Sequence, residues 1–236
     1  MKSFVWVVLL AAVVFSFTPF AKATMMAPMV ECWMQVGDGE VMKWWPEGNG
    51  NGGNEFRYQH TQMTGMWELT ADITVDPDPF VSGVFGILNP TAMTQTYTFT
   101  VILLVSPSLP GPTVHGGSTI VTLLDANGDG SALLTTAAGG EPIYMGMIDG
   151  VGILPLLPPD VSSLSVNTAG GIAVASKVIM PPSLPSGAVL SSIAIEHKFT
   201  LSPGDQATLN SRFEVIPEPA TVVLLSLGGL LLRRKK

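Results

Sequence analysis

Apolar and polar residues alternate strictly over two stretches of this chain, and this alternation constrains the fold more than any other feature. From Trp67 to Val75 and from Ala207 to Val215, every second residue is apolar or small, and the residues between them are mostly polar or charged. A period of two sends one set of side chains to a core and the other to solvent, as in a half-buried strand. Both stretches are therefore predicted to be β-strands.

Turn-forming residues separate these runs from other β-branched runs, such as residues 94–105, 118–124 and 193–201. The chain contains 25 Gly and 19 Pro, and no long segment shows the 3.6-residue period of a helix. We predict an all-β fold, a single β-sandwich of jelly-roll or immunoglobulin-like type with roughly eight to ten strands, over residues 24–216. A parallel solenoid is the alternative, although the sequence has no fixed repeat period. Gly37 to Thr64 is predicted to be a flexible loop or long hairpin tip.

The first 23 residues have the layout of a secretory signal peptide. Lys2 supplies the positive charge, residues 4–17 form a short apolar helix, and Ala21-Lys22-Ala23 provides small residues around a cleavage site. Cleavage there starts the mature chain at Thr24. The protein is therefore predicted to be exported.

The charge of the body excludes one class of partner. The chain has 11 basic and 18 acidic residues; two basic residues lie in the signal and four in the last four positions, which leaves five basic residues against 18 acidic ones. Such a surface repels nucleic acid and favours cations. The single cysteine, Cys32, cannot form an intramolecular disulfide and is predicted to be a small buried residue.

One loop carries the beginning of a calcium-binding pattern. Asp125, Asn127 and Asp129 occupy positions 1, 3 and 5, and Gly130 occupies position 6, as in the first half of an EF-hand loop. The twelfth position is Thr136, so the closing glutamate is absent. Two interpretations stay open: a hairpin turn built on Asn-Gly and Asp-Gly, and a calcium site completed by other loops. No other cofactor is predicted.

Aromatic residues flank the glycine-rich segment and suggest a second kind of site. Trp44, Trp45 and Tyr58 could stack on sugar rings, or they could fill the core. The three histidines are far apart, and His197 shares the face of Ile195 and Phe199 in a predicted strand. No motif for nucleophilic or metal-assisted hydrolysis is present, so the chain is predicted not to be an enzyme. A hydrolase with two unrecognised carboxylates stays as an alternative.

The C-terminus combines three features in order: Pro217-Glu218-Pro219, thirteen mostly apolar residues from Ala220 to Leu232, and a basic cluster. As a helix the apolar run spans about 20 Å, which is short for a bilayer core of about 30 Å. The basic cluster favours the cytoplasmic side and consists of Arg233, Arg234, Lys235 and Lys236.

With the signal peptide and an acidic all-β body, this tail resembles that of PEP-CTERM proteins. The body resembles domains that precede such tails, although less closely, in Asp76-Pro77-Asp78-Pro79-Phe80, in residues 125–132 and in residues 199–205. The resemblance implies sorting by exosortase, a membrane-embedded protease of bacteria that make exopolysaccharide. Pro217, Glu218 and Pro219 would be the recognition element, residues 220–232 a transient inner-membrane anchor, and the basic cluster the cytoplasmic stop.

These observations predict an exported, exosortase-sorted protein of the cell envelope or extracellular matrix, associated with exopolysaccharide or biofilm and without enzymatic activity. A polysaccharide-binding module, assisted by calcium or by aromatic side chains, is the first alternative, and a secreted hydrolase is the second.

Overall fold

The computed structural model describes residues 26–50, 54–158 and 163–217. The predicted signal peptide, and the predicted sorting signal beyond Pro217, lie outside the described residues. Among the described residues, fifteen strands and no helix are found. No described segment is an apolar helix long enough to cross a bilayer.

The strands are β1 Val30–Val36, β2 Met42–Trp44, β3 Gly48–Gly50, β4 Phe56–Met63, β5 Glu68–Asp76, β6 Phe80–Leu88, β7 Gln95–Leu104, β8 Thr113–Leu124, β9 Ala132–Thr136, β10 Tyr144–Ile148, β11 Val151–Leu156, β12 Ser163–Val166, β13 Ile172–Ser186, β14 Ser192–Leu201 and β15 Gln206–Pro217.

The strands form two antiparallel sheets. The first sheet has the order β11-β10-β14-β7-β1-β2, and β9 joins it by pairing with both β14 and β12. The second sheet has the order β13-β8-β15-β6-β5-β4-β3. The all-β prediction is confirmed, and the two sheets are consistent with a β-sandwich.

The core lies between the sheets and is built by the alternation seen in the sequence. Leu69, Ile73 and Val75 of β5 are buried, and so are Leu209 and Phe213 of β15. Aromatic rings fill the space between the sheets. The rings of Phe85 from the second sheet and Phe99 from the first have centroids 5.0 Å apart. Apolar burial of this kind contributes about 25 cal/mol per Å².

Two predictions about local structure are wrong. The chain has more strands than the eight to ten expected, because several are only three to five residues long and leave no periodic signal. The glycine-rich segment from Gly37 to Thr64 is not one loop: β2 pairs with β1 in the first sheet, whereas β3 pairs with β4 in the second. This segment therefore carries the chain from one sheet to the other.

Both ends of the described chain lie at the same end of the sandwich, which we call the terminal end. Val30 pairs with Leu103 near the end of β7, and Pro217 pairs with Thr113 at the start of β8. The loops at this end are held together by hydrogen bonds. The Val105 N–H donates to the Ser191 carbonyl at 2.8 Å, and the Thr113 hydroxyl donates to the Gly187 carbonyl at 2.6 Å. The loop that begins at Asp125 lies at the opposite end, which we call the distal end.

Candidate functional site

The Asp125 loop joins β8 of the second sheet to β9 of the first, so the hairpin interpretation is wrong. Asp125 itself is buried. Its Oδ1 accepts the N–H of Gly128 at 2.9 Å, and its Oδ2 accepts the N–H groups of Gly130 at 2.9 Å and Gly170 at 3.0 Å. Burial alone would raise the pKa of Asp125, but these backbone donors outweigh burial and hold the pKa below its usual range.

The other two predicted calcium ligands shape the same loop. Asn127 Oδ1 accepts the Asp129 N–H at 2.8 Å, and Asp129 Oδ1 accepts the Ser131 N–H at 2.8 Å. Side chains that accept backbone N–H groups two residues on form Asx turns, which fold a loop tightly. Within the described part of the chain, no three His, Cys, Asp or Glu side chains stand together as a ready metal-ligand set. Calcium binding at this loop stays a prediction.

The predicted aromatic platform is not formed as expected. Tyr58 is only 1% exposed, and its hydroxyl donates to the Pro28 carbonyl. Trp44 packs against the core and stacks on His60, with ring centroids 4.9 Å apart. Trp45 is 58% exposed. Trp45 is therefore the exposed ring of the three, because Tyr58 lies on the buried face of β4 and Trp44 packs against the core.

A different aromatic residue lies on the outer face of the first sheet. Trp33 lies between the buried Cys32 and Met34 on β1, so its side chain projects away from the core. The ammonium of Lys43 lies 4.0 Å from the centroid of the Trp33 ring. Trp33 was not predicted to be a surface residue, although its position between apolar residues in an alternating run indicates one.

A polar groove of about 360 Å³ begins next to Trp33 on the same outer face. Gln35 on β1 pairs with Thr98 on β7, and Thr98 pairs with Lys198 on β14, so three adjacent strands form the floor. Lys198 forms an ion pair with Glu141. We call this concavity the distal groove; its lining residues are Gln35, Gly37, Asp38, Thr96, Thr98, Ala137, Ala138 and Lys198.

A second groove, of about 500 Å³, lies on the second sheet and includes Gln59, Thr61 and Asp72. Asp72 is paired with Arg57, and the hydrogen bond from this guanidinium lowers the pKa of the carboxyl. The distal groove contains one carboxylate, Asp38, and the second groove contains one, Asp72. Neither groove supplies the pair of facing carboxylates that the hydrolase alternative requires.

Cys32 and His197 are titratable residues that lie fully buried in the core. Cys32 is buried as predicted, and burial raises the pKa of its thiol to about 12, which keeps it protonated and unreactive at neutral pH. His197 shares the buried face of Ile195 and Phe199 as predicted. The Ile143 carbonyl accepts a hydrogen bond from the imidazole, and this contact partly opposes the effect of burial on the pKa of His197.

Of the predicted sorting element, only Pro217 is described. It is the exposed last residue of β15 and pairs with Thr113. Glu218, Pro219, Arg233, Arg234, Lys235 and Lys236 lie outside the described residues.

No protein-family model matches this sequence, and no curated protein matches it either.

Proposed function

We propose that this chain is an exported, exosortase-sorted protein without enzymatic activity that resides on the cell surface or in an exopolysaccharide matrix. The signal peptide and the three-part tail support export and sorting. The structural observation that carries the proposal is that Val30 and Pro217 both lie at the terminal end. A chain held at the membrane by its tail then presents its distal end and the distal groove away from the membrane.

The partners follow from this arrangement. Exosortase recognises Pro217-Glu218-Pro219 while residues 220–232 serve as a transient inner-membrane anchor. The mature body, with five basic and 18 acidic residues, repels nucleic acid and associates with neutral or cation-bridged exopolysaccharide.

The mass of the mature protein tests this proposal. Protein recovered from the native host is expected to begin at Thr24 and to lack residues 220–236. A mature chain that retains residues 220–236 would show a permanent anchor and end the sorting proposal.

We infer that the sandwich is of jelly-roll type. From β6 onward the chain crosses repeatedly between the sheets: β6, β8, β13 and β15 lie in the second sheet, while β7, β9 to β12 and β14 lie in the first. The spatial orders β13-β8-β15-β6 and β7-β14-β10-β11 support the interleaved arrangement of two four-stranded sheets in a jelly roll. Lectin domains use this architecture, although a shared fold does not by itself establish a shared function.

The distal groove supports a second candidate function, polysaccharide binding. Its floor offers an amide, two threonine hydroxyls, an ammonium and a carboxylate, which together can donate to and accept from sugar hydroxyls. Trp33 lies on the same face, and a sugar ring that stacks on it would replace the Lys43 ammonium over the indole ring. In this proposal the distal groove and Trp33 contact the sugar, and Trp44 and Tyr58 do not, because both of these rings pack inward.

Binding of the host exopolysaccharide tests the distal groove. Gln35→Ala combined with Thr98→Ala removes two hydrogen-bonding groups and is expected to weaken binding roughly 30-fold, since each such bond contributes about 1 kcal/mol. Affinity electrophoresis of the purified protein in gels containing the polysaccharide measures the change.

The matched control is Gln59→Ala combined with Thr61→Ala, which changes the same kinds of side chain in the second groove. This variant is expected to bind as the unmodified protein does. If the control variant loses binding and the distal-groove variant retains it, the site assignment is wrong.

A further inference from the structure

β13 is an edge strand of the second sheet. Among the described residues it pairs on one side, with β8, and its other side is open. The side chains of Ile172, Val174 and Val178 project from this strand and are 64%, 59% and 52% exposed. A long edge strand with exposed apolar side chains can pair with another chain, so proteins usually protect such an edge.

The backbone groups that face the open side of β13 follow from the ladder with β8. The Asp125 N–H donates to the Gly171 carbonyl at 3.1 Å, in the same register that pairs Ile172 with Leu124. Hydrogen-bonded pairs alternate along an antiparallel ladder, so the odd-numbered residues of β13 bond to β8. The even-numbered residues from 172 to 178 therefore direct their N–H and C=O groups to the open side.

The second half of β13 is protected against pairing. The ladder with β8 shifts its register between Ile179 and Leu184, and Pro181 and Pro182 lie within this shift. Proline has no N–H to donate, and register shifts and prolines both block the extension of a sheet. The segment that can accept another strand is therefore residues 172–178.

The same side of the sandwich is nearly without charge. Residues 150–195 include one acidic residue, Asp160, and one basic residue, Lys177, although the whole chain has 18 acidic residues. Leu154 of β11 packs against Gly117 of β8, which places β11 and β13 at the same side. Two copies of an acidic body repel each other, and this repulsion is weakest where an uncharged edge faces an uncharged edge.

We propose that a second copy of this chain pairs with β13 and continues the second sheet across a two-fold axis at Ala175. Antiparallel pairing about this axis sets Ile172 opposite Val178 of the second copy, and Val174 opposite its Ser176. Each open N–H and C=O group from 172 to 178 then gains a partner, and the exposed apolar side chains become cross-strand neighbours. The small side chain of Ala175 lets the two strands approach at the axis.

The pairing produces a closed dimer. The interface is the same surface on both copies, as a two-fold axis requires. The other edge of the second sheet is β3, which has three residues and offers little backbone for further pairing. The dimer is independent of the sorting proposal and of the distal groove, because it uses no residue of the tail or of the groove.

Disulfide formation tests the pairing and its register. In the proposed dimer the two Ala175 residues form a pair without hydrogen bonds between them, with Cα atoms about 4.5 Å apart, which a disulfide can span. Ala175→Cys, purified from the native host and oxidised in air, is expected to run as a covalent dimer on a non-reducing gel. The native Cys32 is buried and does not compete.

Ala173→Cys is the matched control, because Ala173 and Ala175 are both partly buried alanines that pack against the core. Ala173 lies opposite Lys177 of the second copy, so the two cysteines of this variant would be about 14 Å apart. That separation is too large for a disulfide, and this variant is expected to stay monomeric on the same gel.

Light scattering during size-exclusion chromatography tests the association without a cross-link. The unmodified protein is expected to be dimeric at about 10⁻⁴ M, as even a weak interface would be. Val174→Lys places two ammonium groups on diagonal neighbours across the axis, about 7–8 Å apart, and is expected to raise the Kd of the dimer at least tenfold. Val84→Lys, at a 45% exposed valine on β6 inside the same sheet, is expected to leave the dimer unchanged.

Three results would overturn the proposal. They are a monomeric mass of the unmodified protein at about 10⁻⁴ M, no covalent dimer of Ala175→Cys, and equal cross-linking of the two cysteine variants.

Discussion

Acidification from pH 7 to pH 5 is expected to destabilise the sandwich by about 2 kcal/mol through His197 alone. Complete burial lowers the pKa of His197 to about 3, and a contribution from the Ile143 carbonyl only partly opposes this shift. The rings of Phe85 and Tyr144 lie beside the imidazole, with centroids 5.6 Å from it in each case. These rings offer no counter-charge to a protonated histidine.

The sign follows from proton binding. In the unfolded chain a histidine titrates near pH 6.5, so between about pH 6.5 and pH 3 the unfolded state binds one more proton than the folded state at this position. Above pH 6.5 the histidine is neutral in both states, so it does not lower the free energy of unfolding. As the pH falls below 6.5, the free energy of unfolding decreases by about 1.4 kcal/mol for each pH unit, until the pKa of the folded state is reached.

Urea denaturation at pH 7, 6 and 5 measures the effect in the full chain. His197→Leu is expected to reduce the loss of unfolding free energy between pH 7 and pH 5 by about 2 kcal/mol, whatever its own stability at pH 7. His115, whose pKa burial also lowers, and the carboxyl groups are common to both proteins and cancel in the comparison.

The control is Phe199→Leu, which changes a non-titrating core residue on the same face of β14. It is expected to lower stability at every pH and to leave the pH dependence unchanged. Equal pH dependence in His197→Leu and in the unmodified protein would contradict the argument.

The sequence predicted the parts of the fold that depend on local alternation. β5 and β15 were predicted because one face of each strand is apolar and the opposite face is polar, and both strands have the predicted inner residues. The same rule placed His197 in the core. β2 and β3 could not be predicted, because three residues are too few to show a period.

The candidate sites were less predictable, because they depend on which strands become neighbours. The distal groove exists because β1, β7 and β14 are adjacent, and nothing in the sequence between Gln35 and Lys198 specifies that order. The approach of the turn Ser202-Pro203-Gly204-Asp205 to Asn127 is likewise a long-range contact, made between the Asn127 amide and the Pro203 carbonyl. Aromatic rings suit both sugar stacking and core filling, so the sequence left both roles open for Trp44 and Tyr58, and both rings pack against the core.

Replacement of the basic cluster is expected to abolish processing of the tail. In the proposed topology, changing Arg233, Arg234, Lys235 and Lys236 to Ser removes the charge asymmetry that would hold the end of the apolar segment in the cytoplasm. The run of thirteen residues from Ala220 to Leu232 is short for a bilayer core, so the proposal assigns the retention of the tail mainly to these charges. The variant is expected to escape from the membrane with its tail intact, as mass spectrometry of culture supernatant and membranes from the native host would show.

Replacement of the two prolines is expected to give the opposite location with the same failure of cleavage. Proline fixes φ and disfavours a helix at the residue before it, and the sorting proposal assigns this role to Pro217 and Pro219 on either side of Glu218. With both changed to Ala, the chain is expected to stay membrane-bound and uncut. Pro217 ends β15 and has no N–H to donate, so alanine there removes no hydrogen bond of the sheet.

Pro110→Ala is the control, because Pro110 is an exposed proline in the β7–β8 loop. It is expected to leave processing unchanged. The contrast between release of the basic-cluster variant and retention of the double-proline variant separates the two roles in the tail. A permanent anchor predicts instead that no variant changes the mass of the C-terminus, because residues 220–236 would already persist in the unmodified protein.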